Sequence, residues 1–445
     1  MNVTERALHH ILPSREEEKN VLKASRELIS KIEGECERLK IRAEPILVGS
    51  VSKGTFIDPD IDIFIAFDRS YSLKEIINFG LLVGHNVLGD GNERYAEHPY
   101  VSGHHLGFKV DVVPCYRMSK GEKIITAVDR SPLHTQYVNE HLSIDGRNQV
   151  RLLKAFLKSS GLYGSQVSVK GFSGYVCELL VVHFGSFHGV VDFFSTSKGK
   201  ISIDIEGHGK KDFKDPLVIV DPVDQRRNAG AAVSIENLSK LRVLSREFLI
   251  RPDISYFVWG RRRKIQKMQR GTNFTLFSLP KPDITDDIIY PQAEKFASAL
   301  LKIIEMGGFQ PINFEIDLGK NIEILIEHLF SASRKFSVKD GPPADSERTH
   351  DFIEKYRKVK GHIGPYIKGD RLYFDIPEKS LGIEDYVMMH LKDYNIGKTL
   401  EKIKDKTLIE EITASGERRS IMRKFYSRNI LPEDDWDFYP PEKTS

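Results

Sequence analysis

Three aspartates in two short β-branched runs have the residue type and spacing that best suit phosphoryl transfer. Asp60 and Asp62 alternate with isoleucines in residues 60–67, so an extended strand would place both carboxylates on one face. Asp111 is embedded among apolar residues in a second such run, residues 109–114. Carboxylates this close repel one another unless a cation neutralises them, and Mg²⁺ takes hard oxygen ligands. The pattern predicts that the three aspartates are catalytic and bind two Mg²⁺ ions.

The turn Gly49-Ser50, which precedes the paired aspartates, suits the phosphate side of such a reaction. Its backbone N–H groups and the Ser50 hydroxyl can bind a triphosphate, and Lys53 supplies countercharge. Simpler interpretations exist, since most Asp-x-Asp pairs are solvated acids and most Gly-Ser pairs are ordinary turns. Asp111 is harder to explain in this way, because a carboxylate among buried apolar residues needs a partner, a proton or a metal. The combination favours a functional site.

Composition and charge predict an ordinary soluble protein. The 445-residue chain has 29% charged and 40% hydrophobic residues, a length that predicts about three domains. Its 66 Lys and Arg nearly balance 63 Asp and Glu, so the net charge of +3 does not by itself indicate a nucleic-acid partner. Cys36, Cys115 and Cys177 are far apart and predict neither a disulfide framework nor a zinc site. No apolar stretch approaches membrane-spanning length, so we expect a cytoplasmic protein without a membrane partner.

Periodic apolar residues predict how the chain is organised around the aspartates. A helix follows the capping residue Ser14, and strands within residues 45–68 and 106–114 flank a helix near residues 73–82. These elements form a predicted α/β catalytic module that ends near residue 132.

A second module begins with an amphipathic helix predicted over residues 144–160. Four basic residues on its polar side recur every three or four positions and therefore form one stripe. They are Arg147, Arg151, Lys154 and Lys158. Like charges at this spacing destabilise an isolated helix, and a bound polyanion would relieve the repulsion. A solvated basic face is the equally weighted alternative.

A series of motifs runs through nearly the whole chain. It comprises Gly49-Ser50, Asp60-x-Asp62, residues 110–117, Arg151-Leu152-Leu153-Lys154, Gly161-Leu162-Tyr163-Gly164, residues 171–180, Asp221-Pro222-Val223-Asp224, Arg227-Asn228, Pro282-Asp283-Ile284, Tyr290-Pro291-Gln292 and Ile396-Gly397-Lys398. In their order these motifs resemble archaeal class I CCA-adding enzymes, which are tRNA nucleotidyltransferases of the polymerase-β-like nucleotidyltransferase superfamily.

The resemblance implies an α+β multidomain fold with a polymerase-β-like nucleotidyltransferase head, a helical neck, and an α/β body and tail. We expect the catalytic head in residues 1–135, the nucleotide-recognising neck in residues 136–255, and the tRNA-binding body and tail in residues 256–445. The implied enzyme uses two Mg²⁺ ions to add C, C and A to the 3′ end of tRNA from CTP and ATP, without a nucleic-acid template. Its partners would be ATP, CTP and the acceptor arm and 3′ end of tRNA, and whether it forms a homodimer is left open.

Two other functions fit parts of the pattern. A poly(A) polymerase or an oligoadenylate synthetase would use ATP alone and would not require the shape of tRNA. A non-catalytic RNA-binding protein would keep the scaffold without the chemistry. The three aspartates argue against the non-catalytic protein, and the motifs beyond the head argue against the other nucleotidyltransferases.

The family's roles transfer residue by residue to a nucleotide site. Ser50 and Lys53 would hold the triphosphate, although arginine is common at the position of Lys53, so its contact would be a point charge rather than a fork. Arg227 matches the arginine that reads the base edge together with tRNA phosphates. The pocket would be completed by His134, Lys154 and Tyr163. From the residues alone, His134 is better explained as an interdomain residue, and Tyr163 is equally explained as a core aromatic.

Basic residues cluster in the last part of the chain. Arg263, Lys267 and Arg270 are spaced four and three residues apart, so a helix would present them as a stripe that contacts tRNA phosphates. A solvated face or a mobile end is the alternative, and it is strongest for the tail. The tail cluster comprises Arg418, Arg419, Arg423, Lys424 and Arg428.

Overall fold

The computed structural model describes residues 2–95, 97–209, 212–259, 270–412, 420–428 and 430–431. The chain divides into two compact units, the first formed by Met1–Arg262 with Ile430–Ser445 and the second by Arg263–Asn429. Both units combine helices with β-sheets, which confirms the predicted α+β multidomain class. The finer division into head, neck, and body with tail stays a prediction.

The first unit begins with a five-stranded sheet covered by two helices. Its elements are α1 (Val3–Ile11), α2 (Arg15–Arg38), β1 (Ala43–Val48), α3 (Gly49–Lys53), β2 (Ile61–Phe67), α4 (Leu73–Leu88), β3 (Asn92–Tyr95), β4 (Pro99–His105) and β5 (Phe108–Tyr116). The strand order is β1-β2-β5-β4-β3, with β2 and β5 parallel and the other neighbours antiparallel. Ile61, Ile63 and Ile65 pack in one core with α2 and α4. The intervening Asp62 therefore lies on the opposite face of the sheet.

Further helices and a small sheet complete the first unit. They are α5 (Arg130–His141), α6 (Ile144–Ser159), α7 (Gly174–Phe184), α8 (Phe187–Thr196), β6 (Ile201–Asp204), β7 (Leu217–Asp221), β8 (Asp224–Asn228) and α9 (Ile235–Ile250). β7 runs parallel to β6 and antiparallel to β8. The buried rings of Phe156, Phe187 and Phe248 join α6, α8 and α9, with centroids 5.4 to 5.6 Å apart.

No single described helix is long and apolar enough to cross a membrane. Among these helices, only α7 and α8 taken together, as a pair bent by 90°, satisfy the length and composition criteria.

The basic stripe of α6 faces the segment that links α3 to β2. Arg151 and Lys154 are buried and donate hydrogen bonds to backbone carbonyl oxygens within residues 55–58. Lys158 forms an ion pair with Asp58 at the end of this segment. These three side chains therefore do not form a fully solvated face, because protein groups accept their hydrogen bonds. Their contact with a bound polyanion stays a prediction. The three side chains fix the segment that precedes the first predicted metal ligand.

The second unit contains a four-stranded antiparallel sheet and a separate three-stranded sheet. Its described elements are β9 (Asn273–Pro280), α10 (Asp286–Gly307), β10 (Pro311–Leu318), β11 (Asn321–His328), β12 (Phe336–Pro343), α11 (Thr349–Tyr356), β13 (Ile363–Lys368), β14 (Arg371–Pro377), α12 (Ile383–Leu391), β15 (Leu408–Ile412) and α13 (Ser420–Tyr426). The larger sheet has the order β10-β11-β9-β15, with α10 and α12 on one face and α13 on the other. The smaller sheet has the order β12-β14-β13.

Basic residues predicted to contact tRNA make internal contacts in this unit. Arg270 donates from Nε to Glu327 Oε1 at 2.5 Å and from Nη2 to Oε2 at 3.0 Å, and Glu327 is fully buried. Lys424 and Arg428 donate to backbone carbonyls of the edge strand β10. Their contacts with tRNA stay predictions, because an internal role does not test them. Of the remaining predicted residues, Arg423 is exposed on α13, whereas Arg263, Lys267, Arg418 and Arg419 lie outside the described residues.

Replacing Arg270 with Met should destabilise the second unit by about 3–5 kcal/mol, because Glu327 would remain buried without its charge partner. Arg357→Met is the matched control, since Arg357 is 61% exposed and pairs with Glu354 one turn away. The control should cost less than about 1 kcal/mol. Urea unfolding followed by circular dichroism measures both, and equal small losses would contradict a structural role for Arg270.

Candidate active site

Asp62 and Asp111 lie directly opposite each other on the parallel strands β2 and β5. Asp60 immediately precedes β2, and its side chain is 58% exposed, against 18% for Asp111. The Ser102 hydroxyl donates to Asp111 Oδ1 at 2.6 Å and so orients that carboxylate. The three predicted metal ligands therefore meet at one end of two neighbouring strands.

The ammonium group of Lys109 lies among these carboxylates. Its Nζ is 3.9 Å from Asp60 Oδ2 and 3.6 Å from Asp111 Oδ2. Burial alone would lower the pKa of Lys109, but the aspartates around it raise that pKa. None of the described His, Cys, Asp and Glu side chains forms a group of three at metal-binding spacing. A lysine cation thus shares the carboxylates, and their role as metal ligands stays a prediction.

Asp62 has the most perturbed carboxyl group of the three. Burial, followed by the charges of Asp111 and Asp60, raises its pKa to about 7. The backbone approaches it closely at Gly49, where φ is +72° and an added Cβ would overlap Asp62 Oδ2. Lys109 balances the negative charge of the cluster only in part, and every donor is a carboxylate oxygen. This donor set fits a hard divalent cation.

A buried ion network joins α3, α6 and α7. Glu178 Oε2 lies 2.5 Å from Lys53 Nζ, and Glu178 Oε1 lies 3.2 Å from Lys154 Nζ. The Thr55 hydroxyl donates to Glu178 Oε1 at 2.7 Å. Burial would raise the pKa of Glu178, but the two lysines lower it, so the carboxylate is ionised. Burial lowers the pKa of Lys154, and the nearby carboxylate of Glu178 opposes this effect. Two lysines share one carboxylate, so the network has more basic than acidic side chains.

Ser50 and Tyr163 lie close to the elements that build this network. Ser50 is half-buried on the short helix α3, which also carries Lys53. The Tyr163 hydroxyl approaches α7 at Gly174, where an added Cβ would lie 3.2 Å from that hydroxyl and 3.4 Å from Lys154 Nζ. Burial raises the pKa of Tyr163, which keeps its phenol neutral. The predicted phosphate-binding residues thus gather around α3, α6 and α7.

Arg227 on β8 and His134 on α5 meet at Asp221, the last residue of β7. Asp221 Oδ2 lies 2.7 Å from Arg227 Nη1 and 2.9 Å from His134 Nε2. The Tyr175 hydroxyl donates to Asp221 Oδ1 at 3.2 Å, and its ring stacks on His134 with centroids 3.8 Å apart. Burial lowers the pKa of His134, which favours the neutral imidazole.

Lys53 interacts with both the aspartate cluster and the group around Asp221. Its charge acts on Asp62 and on His134, and its Nζ lies 5.8 Å from the centre of the Tyr175 ring. The predicted catalytic and nucleotide-binding residues are therefore collected in one region of the first unit.

Sequence reasoning gave no individual role to Glu178, Asp221 or Tyr175, although all three lie in the motifs of the resemblance. Glu178 did carry a signal, since a carboxylate inside the apolar helix 174–184 requires a buried partner. Asp221 carried a similar signal, because it ends a strand of buried apolar residues. Tyr175 carried none, since the sequence does not indicate which residue its ring and hydroxyl contact.

Asp62→Asn should remove a pH dependence of stability in the presence of EDTA. The unfolded Asp62 releases its proton near pH 4, whereas the folded residue keeps it up to about pH 7, so the wild type loses stability as pH rises between these values. The variant mimics the neutral carboxyl and should gain about 1–3 kcal/mol relative to wild type between pH 5 and 8. Thermal unfolding midpoints test this, with Asp192→Asn on α8 as the control. If the unfolding midpoints of wild type and Asp62→Asn changed with pH in the same way, the result would contradict the raised pKa of Asp62.

Comparison with known proteins identifies the family. Three family models match the chain: a nucleotidyltransferase domain at residues 29–134, a tRNA nucleotidyltransferase second domain at residues 148–258, and a CCA-adding enzyme C-terminal domain at residues 270–410. Among solved structures, the Cid1 poly(U) polymerase with Mg and 3′-dATP bound is 15% identical, with a TM-score of 0.45 over 56% of this chain and 94% of that chain.

Curated relatives match along most of the chain. A CCA-adding enzyme of Thermoplasma acidophilum is 45% identical over 422 residues, which cover 94% of this chain and 97% of the relative. Those of Picrophilus torridus and Methanocaldococcus jannaschii are 44% and 38% identical, covering 91% and 80% of this chain and 93% and 84% of the relatives. These matches confirm the predicted family: the chain is a nucleotidyltransferase that belongs to the CCA-adding enzymes.

Proposed function

We propose that this enzyme adds C, C and A to the 3′ end of tRNA from CTP and ATP, without a nucleic-acid template. The observation that carries the proposal is the opposition of Asp62 and Asp111 near a buried group of lysines. Nucleotidyl transfer requires metal-binding carboxylates and phosphate-binding cations in one site. Relatives named CCA-adding enzymes, similar along most of their length, support the choice of substrates.

In this proposal Asp60, Asp62 and Asp111 hold two Mg²⁺ ions, because their oxygens suit a hard cation. When bound, the ions supply the charge that activates the terminal tRNA hydroxyl and stabilises the triphosphate. Ser102 keeps Asp111 oriented through its hydrogen bond. Lys109 balances Asp60 and Asp111 before substrate arrives.

The 3′ hydroxyl oxygen of tRNA attacks the α-phosphorus of the nucleotide, forming a phosphodiester and releasing pyrophosphate. Ser50 and Lys53 bind the triphosphate, and Lys154 and Tyr163, the latter with its neutral hydroxyl, help to complete the nucleotide pocket. The support is electrostatic: the two lysines share the single carboxylate of Glu178, so a phosphate anion would meet uncompensated positive charge.

Arg227 reads the edge of the incoming base together with tRNA phosphates, and His134 belongs to the same end of the pocket. The planar fork of Arg227 suits bidentate recognition of a base edge. Its side chain is 35% exposed, while the partner carboxylate of Asp221 is fully buried, so the guanidinium is anchored on one side and accessible on the other.

The acceptor arm and 3′ end of tRNA are the proposed RNA partner. Arg263 and Lys267 would contact backbone phosphates as point charges. Arg270 would contact RNA only through the guanidinium N–H groups that do not bind Glu327, since its Nε and Nη2 already donate to that residue.

Incorporation into a tRNA that ends at the discriminator base tests the reaction. With Mg²⁺, CTP alone should add two residues, and CTP with ATP should complete CCA. Asp111→Ala should abolish nearly all incorporation and leave tRNA affinity within about twofold of wild type, because RNA affinity comes mainly from phosphate contacts outside the carboxylates. Asp192→Ala on α8 is the matched control. Long A tails from ATP alone on unstructured RNA would indicate a poly(A) polymerase instead.

Arg227→Ala should weaken nucleotide choice more than nucleotide binding. Losing hydrogen bonds to a base edge costs discrimination of about 1–3 kcal/mol, so the ratio of kcat/KM for CTP over UTP should fall roughly 5- to 150-fold. Binding of CTP to the RNA-free enzyme measures the triphosphate contribution separately, and Arg226→Ala on the same strand is the control. A uniform rise in KM for all four nucleotides would assign Arg227 to phosphate.

A further inference from the structure

Asp221 is the centre of the base end of the pocket. Its carboxylate is fully buried and accepts hydrogen bonds from His134 Nε2, Arg227 Nη1 and the Tyr175 hydroxyl. The backbone N–H of Val223 donates to Asp221 Oδ1 at 3.1 Å, so the carboxylate is also held by its own turn. Its partners come from α5, α7 and β8, and one residue therefore fixes three elements relative to one another.

The shortest of these side-chain contacts is the one to Arg227, at 2.7 Å. Asp221 is ionised, because its hydrogen bonds to His134 and Arg227 and the charge of Arg227 outweigh the effect of burial and lower its pKa. His134 is favoured in its neutral form and then donates Nε2–H without adding a charge. The negative charge of Asp221 is thus matched by Arg227, and a charge-assisted bond of this kind is stronger than a neutral one and holds the guanidinium against the carboxylate.

Tyr175 and His134 restrict the carboxylate from its other side. Their rings stack with an interplanar angle of 23°, so each supports the other while both contact Asp221. A carboxylate held at both oxygens cannot rotate without breaking a bond. One nitrogen of the Arg227 guanidinium is consequently held by a buried and immobilised carboxylate, while 35% of that side chain remains exposed.

We infer that Asp221 is a positioning residue for nucleotide selection: it holds the fork of Arg227 in the orientation that reads the base edge, without itself touching the nucleotide. The inference rests on the proposed role of Arg227. Chemistry at the carboxylates of β2 and β5 should persist, because no hydrogen bond or ion pair among the described residues joins them directly to Asp221. Loss of Asp221 should therefore reduce selectivity rather than chemistry.

A double-mutant cycle tests the inference with Asp221→Asn, Arg227→Ala and the double variant. Asn is nearly isosteric but lacks the charge that orients Arg227. Asp221→Asn should lower the ratio of kcat/KM for CTP over UTP at least about fivefold, with kcat for CTP within about twofold of wild type. The double variant should be no less selective than Arg227→Ala alone, because Asp221 acts through Arg227.

Asp224→Asn is the matched control. Asp224 is also a buried aspartate of the β7–β8 hairpin, but it pairs with Arg130 and Arg226. If loosening of the hairpin were the cause, this variant would lose selectivity as Asp221→Asn does. Unchanged selectivity in Asp224→Asn is expected, and thermal unfolding of each variant reports any general loss of folding.

Three results would overturn the inference: unchanged selectivity in Asp221→Asn, additive effects of the two substitutions, or a selectivity loss in Asp221→Asn when Arg227→Ala has none. Unchanged selectivity in Arg227→Ala would also refute the proposed base-reading role, whereas the other two results would leave that role intact. Tyr175→Phe provides a second route if Asp221→Asn fails to fold. It removes one hydrogen bond to Asp221 and should lower selectivity in the same direction by a smaller factor, and unchanged selectivity there would equally refute the inference.

Discussion

The buried carboxylate of Glu178 is the contact on which the proposed nucleotide pocket depends. It binds Lys53 and Thr55 from the segment beginning at α3 and Lys154 from α6, while itself lying on α7. An ionised group with no exposed surface is stable only when its partners are in place, so the segment and the two helices must take up their positions together. The same network leaves two ammonium groups with one carboxylate. The requirement for stability and the proposed preference for a phosphate ligand therefore have one physical source.

The two ends of the site carry excess charge of opposite sign. At the strand ends, Asp60, Asp62 and Asp111 face the cation of Lys109. Beside α3, the cations exceed the anions. A metal–triphosphate complex carries positive and negative charge in a complementary arrangement, so it would relieve both imbalances at once. The site stores unfavourable charge without substrate, and the surrounding fold must offset this cost.

The sequence predicted that Asp62 and Asp111 lie on strands, because alternation along each strand determines which of its side chains share a face, whereas Asp60 lies just before β2 rather than within it. The sequence could not indicate that Lys109 lies between Asp60 and Asp111. That position depends on the register of two strands that are far apart in the chain, in which Asp62 pairs with Asp111. The sequence predicted the basic stripe on α6 but did not indicate which groups its side chains contact. Helical spacing shows which side chains share a face, whereas what the face packs against is decided by tertiary structure.

Helix α7 connects the phosphate end of the pocket to the base end. Tyr175 and Glu178 are three residues apart on it, so they lie on the same side of one helical turn. Tyr175 contacts the Asp221 group, and Glu178 holds the two lysines. The separation between the two ends is therefore set by a rigid turn of helix rather than by a loop. Because the ribose limits the distance between the base of a nucleotide and its phosphates, a rigid spacing would let the proposed pocket contact both parts of the nucleotide together.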